Sequence, residues 1–161
     1  MPGVPSIAAI ARDGIWHYQG SPIARRRMVR LFASILKREG DAYYLVTPVE
    51  KLKIAVDDAP YVAVALERHG AGRDQTLAFR TQTDELVIAD GEHPIRVETD
   101  AATGAPSPYI HVRDGLEALI ARPVYYELAE IALASTPAGD SPGVWSRGAF
   151  FALSEDGEAV S

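Results

Sequence analysis

The chain contains no cysteine, and that one absence removes disulfides, thiolate nucleophiles and cysteine-ligated zinc together. No apolar run approaches the roughly 20 residues that a membrane-spanning helix needs. The stretch Ile7, Ala8, Ala9 and Ile10 ends at Arg12-Asp13 with no basic segment before it, so neither export nor membrane insertion is expected, and the expected setting is the cytoplasm. Basic residues are scarce: 16 Lys and Arg against 22 Asp and Glu give a net charge of −6. That is the wrong sign for general nucleic-acid binding, which neutralises phosphates. Catalytic signatures are missing too. No Gly-x-Ser-x-Gly elbow occurs, and Gly70-Ala71-Gly72-Arg73-Asp74 lacks the Gly-Lys-Ser/Thr ending of a phosphate loop. His17, His69, His93 and His111 are scattered without metal-ligand spacing, so no metal or cofactor is expected.

What is present suffices for a core. With 47% hydrophobic residues in 161, the chain suits one domain or two small lobes sharing an interface. The spacing of Met28, Leu31, Phe32, Ile35 and Leu36 predicts a helix over Pro22 to Arg38, with Ser21 as N-cap and Gly40 beyond its end. Short β-rich runs follow at Tyr43 to Thr47, Lys51 to Val56, Tyr61 to Leu66, Thr76 to Thr81, Glu85 to Ala89, Ile95 to Thr99 and Pro108 to Val112. Turn clusters separate them, so mostly antiparallel pairing is expected. A second helical region, Gly115 to Ala134, carries Pro123 as a kink or restart. A last strand over Val144 to Leu153 precedes an acidic tail expected to fray.

An internal repeat is the most informative feature. Thr47 to Pro60 laid over Thr81 to Pro94 pairs Leu52 with Leu86, Ile54 with Ile88, Ala55 with Ala89 and Glu50 with Asp84. Ungapped agreement of this kind indicates two copies of a strand-turn-strand unit, one in each lobe. A weaker echo relates Ile23-Ala24-Arg25 to Ile120-Ala121-Arg122. The resulting fold class is α+β, divided into lobes 1–72 and 73–161.

Arg25 stands three residues before Met28 and seven before Phe32, on the apolar stripe, so it is expected to be buried. A buried guanidinium requires a partner, because an unpaired one costs about 3–5 kcal/mol. Two arrangements meet that requirement. In one, internal salt bridges join Arg25 to Glu50 and Arg122 to Asp84. In the other, Arg25, Arg122 and Lys51 face an inter-lobe cleft, where the planar guanidinium fork suits phosphate or carboxylate. Trp145 is either core or a stacking face, and Ser146 offers a hydroxyl to a phosphate oxygen.

The runs Asp13-Gly14-Ile15-Trp16, Gly20-Ser21-Pro22-Ile23, Val29 to Leu36 and Tyr44 to Lys51 resemble a bacterial family catalogued as domain of unknown function 1285. Pro108-Tyr109, Arg113 to Ile120, Arg122 and Gly143 to Gly148 resemble its second half. Two departures stand out: the proline-rich segment that usually precedes Asp-Gly-x-Trp is absent, and Thr81-Gln82 replaces a frequent Thr-Asn. The resemblance implies a duplicated two-lobe fold with a loosely pleckstrin-homology-like C-terminal lobe. It also implies an inter-lobe site for a nucleotide-like ligand and a role in signalling, with no assigned activity. Thr47 and Arg113, from these motifs, complete the expected binding set of Arg25, Thr47, Glu50, Lys51, Arg113, Arg122, Trp145 and Ser146. The alternative is a protein-interaction module or homodimer, docking through the lobe or the basic helix face without a small ligand.

Overall fold

The computed structural model of the chain describes residues 8–153; the acidic tail lies outside the described residues. Six strands build the first lobe: β1 (Ala8–Ile10), β2 (Trp16–Tyr18), β3 (Ser21–Pro22), β4 (Leu36–Glu39), β5 (Ala42–Val46) and β6 (Lys51–Val56). Their order is β3-β2-β1-β6-β5-β4, antiparallel except where β1 runs parallel to β6. Helix α1 (Arg26–Ser34) links β3 to β4.

The second lobe repeats this plan. Strands β7 (Tyr61–His69), β8 (Thr76–Thr81), β9 (Leu86–Ile88), β10 (Ile95–Thr99), β11 (Pro106–Arg113) and β12 (Leu116–Ile120) are ordered β10-β11-β12-β7-β8-β9. Again two three-stranded meanders are joined where the first strand, β7, lies parallel to the last, β12. Residues 89–94 connect the opposite edge strands β9 and β10, so the sheet curls until its edges approach. Helix α2 (Arg122–Ser135) and a hairpin of β13 (Gly143–Ser146) and β14 (Ala149–Ala152) follow, with β13 against β8 and β14 against β10. This curled sheet with its helix stands where a pleckstrin-homology-like lobe was expected. The α+β class and the two similar lobes hold, while the break between sheets falls between Val56 and Tyr61, ahead of the division expected at residue 72.

The offset-34 repeat is a real local likeness. Glu50 N–H donates to the Thr47 carbonyl at 3.4 Å and Asp84 N–H to the Thr81 carbonyl at 3.0 Å. Each threonine hydroxyl also accepts the N–H two residues on. The second copy carries one extra residue: Thr81 N–H reaches the Glu85 carbonyl, with Asp84 at a positive φ of 68°, whereas Thr47 N–H reaches that of Glu50. The likeness nevertheless crosses the duplication, since by strand order β8–β9 corresponds to β2–β3 and not to β5–β6.

Helix α1 is shorter than its periodicity suggested. Ser21-Pro22 pairs with β2 through the Gln19-Gly20 turn, both residues at positive φ, and does not cap the helix. Arg25 is the N-cap, in extended backbone with no side-chain cap bond. Leu36 opens β4, and the inward face consists of Val29, Phe32 and Ala33, while Met28 and Leu31 are 39% and 59% exposed. The region from Gly115 divides likewise: Asp114-Gly115 forms a hairpin turn at φ 47° and 80°, Leu116–Ile120 is a strand, and Pro123 sits in the first turn of α2. The strand expected over Val144 to Leu153 is the β13–β14 hairpin, turned at Arg147-Gly148. One core runs through both lobes, with Trp16, Leu36, Tyr61, Phe79, Ile110 and Leu128 almost wholly removed from solvent.

Candidate functional site

The expected binding set does not assemble. Arg25, expected to be buried, is exposed at the start of α1, because it is the N-cap of a helix that begins at Arg26 instead of Pro22 and turns Val29, Phe32 and Ala33 inward. Thr47, Glu50 and Lys51 lie on the exposed β5–β6 turn, where the Lys51 ammonium meets the Glu39 carboxylate at 2.6 Å and covers the Tyr44 ring at 4.5 Å. Arg122 is exposed in the first turn of α2. Ser146 is fully buried: its hydroxyl accepts from Leu77 N–H at 2.9 Å and donates to the Ala89 carbonyl at 2.7 Å. Trp145 is half-buried, with the Arg73 guanidinium 4.4 Å from its ring centroid and Phe150 packed at 5.2 Å.

The seam between lobes is built by other residues. Gln82, in the β8–β9 turn, accepts from Val62 N–H at 2.7 Å and donates to the carbonyls of Gly14 at 3.2 Å and Pro60 at 3.4 Å. Its amide thus staples the β1–β2 turn of one lobe to the other. Gly14 allows the close approach: it holds φ 89°, and a Cβ there would lie 2.9 Å from Val62 Cγ2. Arg113, one of the expected residues, is at this seam, donating to the Ala33 carbonyl at 2.9 Å and to the Tyr61 hydroxyl at 3.2 Å. Burial and then the Glu85 carboxylate raise the Tyr61 hydroxyl well above the ordinary phenol range, so it remains a donor, reaching the Ala33 carbonyl at 3.4 Å. Arg38 crosses the same boundary to the Gly115 carbonyl at 2.9 Å.

Beside this staple lies a cleft of about 200 Å³ lined by Asp13 to Trp16, Ile23, Arg26, Val29, Arg30 and Gln82 to Asp84. Arg26 and Arg30 stand four residues apart on one face of α1 and converge on a single carboxylate across the seam, Asp84, at 3.2 and 3.9 Å. Asp13 turns one carboxylate oxygen back onto Ile15 N–H at 3.0 Å. Trp16 lines the apolar wall at 1% exposure, its ring 6.1 Å from that of Phe32 and tilted 37° to it, and its indole N–H finds no acceptor among the described residues. A buried N–H without an acceptor is uncommon, because desolvating it costs about 1–3 kcal/mol. On the far side of Arg30 and Asp84 is an open groove of about 420 Å³ that shares these two and Thr83 with the cleft and adds Ala33, Ser34, Glu85 and Arg113. The sequence did carry a signal for this site, the i, i+4 spacing of Arg26 and Arg30, but nothing in it placed Asp84 opposite.

Among the described residues no group of three or more His, Asp or Glu side chains is arranged to hold a metal, and no helix is long and apolar enough to cross a membrane. The two similar six-stranded lobes and the stapled seam between them make this an α+β protein of duplicated plan. The N-terminal domain of one family, described as a domain of unknown function (DUF1285), matches residues 5–59, and its C-terminal domain, described as a protein of unknown function (DUF1285), matches residues 60–153; the chain belongs to this family. It is similar to a solved DUF1285 family protein from Silicibacter pomeroyi DSS-3, at 52% identity and TM-score 0.85 over 98% of this chain and 84% of that one. A second, from Shewanella baltica OS155, is 28% identical at TM-score 0.60 over 78% of this chain and 91% of that one. No curated protein matches the chain.

Proposed function

We propose that this protein is a non-catalytic binder of a small anionic, nucleotide-like ligand at the lobe seam, serving bacterial signal transduction in the cytoplasm. The observation that carries the reading is the convergence of Arg26 and Arg30 on one carboxylate in a cleft that Trp16 also lines. Two fixed cations around one shared anion leave donors over, and a planar guanidinium uses them on phosphate or carboxylate oxygens in pairs. Both side chains are more than half exposed, so their ion pairs with Asp84 are weak, on the order of 0–1 kcal/mol, and yield readily to a better acceptor.

Size constrains the ligand. A cleft of about 200 Å³ takes one planar ring or one anionic group, below the roughly 300–1,000 Å³ of a pocket for a drug-sized molecule. The remainder of a nucleotide-like ligand would extend along the neighbouring groove past Arg30 toward Arg113. Because α1 belongs to one lobe and Asp84 to the other, a ligand that displaces Asp84 from the arginines favours a different lobe arrangement, which a partner can read.

A thermal-shift screen against nucleotides, nucleotide second messengers and inorganic phosphate tests this. A true ligand at about 100 times its Kd stabilises the fold by about 2.7 kcal/mol. Arg26→Ala with Arg30→Ala abolishes that shift, and Arg25→Ala, outside the cleft, keeps it. Silence from every anion in the wild-type protein refutes the proposal.

A further inference from the structure

The two helices present exposed faces of opposite charge, each with an apolar centre. On α1 and its cap, Met28 and Leu31 stand open to solvent between Arg25 and Arg27. This surface is uncovered by the rest of the chain because α1 turns Val29, Phe32 and Ala33 inward. On α2, Val124, Leu128 and Ala132 face the core at a four-residue repeat, which leaves Tyr126 and Leu133 on the outer face, 57% and 67% exposed. Glu127 and Glu130 lie on that same outer face, both exposed, and outnumber the one exposed cation of the helix, Arg122, at its first turn. Large apolar side chains grouped in this way, rimmed by charge, mark surfaces that meet another protein.

We infer that the occupant of each face is the other face on a second copy of this chain: α1 of one molecule docks on α2 of the next. Charge complementarity selects this pairing. Arginine flanks of α1 meet glutamate flanks of α2, while α1 against α1 or α2 against α2 sets like charges together around the same apolar centres. An acidic chain of net charge −6 repels its own copies in general, so local opposite patches decide where they touch. The contact is between unlike surfaces. It therefore occurs twice in a closed two-fold pair, or propagates as a chain if the rotation does not close.

The inference is independent of the proposed ligand cleft, since Arg25, Arg27, Glu127 and Glu130 do not line it. Sedimentation equilibrium on the whole chain tests it through charge reversal. Wild type is expected to show a mass above one chain at low salt that falls toward one chain as salt rises. R25E/R27E and E127K/E130K are each expected to run as single chains, because each has made its two faces alike in sign. An equimolar mixture of the two variants restores both opposite-charge contacts and returns to the associated mass, which also shows that both variants are folded. A wild type that stays at the mass of one chain in low salt overturns the inference. So does association that survives in either variant alone, or a mixture that remains unassociated.

Discussion

Ser146 illustrates how a side chain that looks available in a sequence is committed by its surroundings. Its hydroxyl joins β13 to the second sheet by accepting from Leu77 and donating to Ala89, backbone groups of two residues that are themselves fully buried. Ser146→Ala strands both partners, and the expected loss is about 1–3 kcal/mol. Urea unfolding would show it as a lower midpoint with unchanged slope. Arg25 failed for a related reason. Its place on the stripe depended on where the helix begins and which face it buries, and a nine-residue helix gives too few turns to fix that phase from apolar residues alone. Arg26 and Arg30 were readable as a same-face pair, but their acceptor Asp84 lies 58 residues beyond the first and 54 beyond the second, and no local pattern encodes such a contact.

At the level of elements, β6, β8 and β10 occupy the residues their β-branched and aromatic runs indicated. Leu116–Ile120 did not, because Leu, Glu and Ala favour helices and the Asp-Gly turn before them was the better guide. The connection from β9 to β10 holds the curled sheet's edges together, and Asp90 organises it. Partial burial works against ionisation of its carboxyl. Hydrogen bonds with the His93 ring and from the N–H groups of Glu92 and His93 outweigh that effect and hold it below the usual carboxylate range. A depressed folded-state value means the stabilisation is present above the unfolded value of about 3.9 and is lost as pH falls through the folded one. Asp90→Asn should therefore lower the melting temperature at neutral pH, with a smaller gap to wild type at a pH below the unfolded value of about 3.9. A gap that is the same at both pH values would show that the charge is not what holds this turn.

For the whole molecule, the sequence conveyed that something was duplicated but not what. Residue likeness is found at the turns Thr47–Glu50 and Thr81–Asp84, which the duplication does not superpose, because an i, i+3 turn and a threonine hydroxyl restrict the choice at both. The larger duplication is carried by strand order, which sequence comparison does not see. That order also decides how the protein bears load. In each six-stranded sheet the first and last strands are parallel neighbours, so tension that reaches both, in the second sheet once α2 and the β13–β14 hairpin have come away, drags them lengthwise past one another and strains their hydrogen bonds all at once instead of peeling them singly. Two residues pair in this way between β1 and β6 and three between β7 and β12. Stretched in an optical trap, the two sheets should each yield in one abrupt step, the N-terminal sheet at the lower force, and a gradual extension without steps would show that the parallel pairs do not act as mechanical clamps.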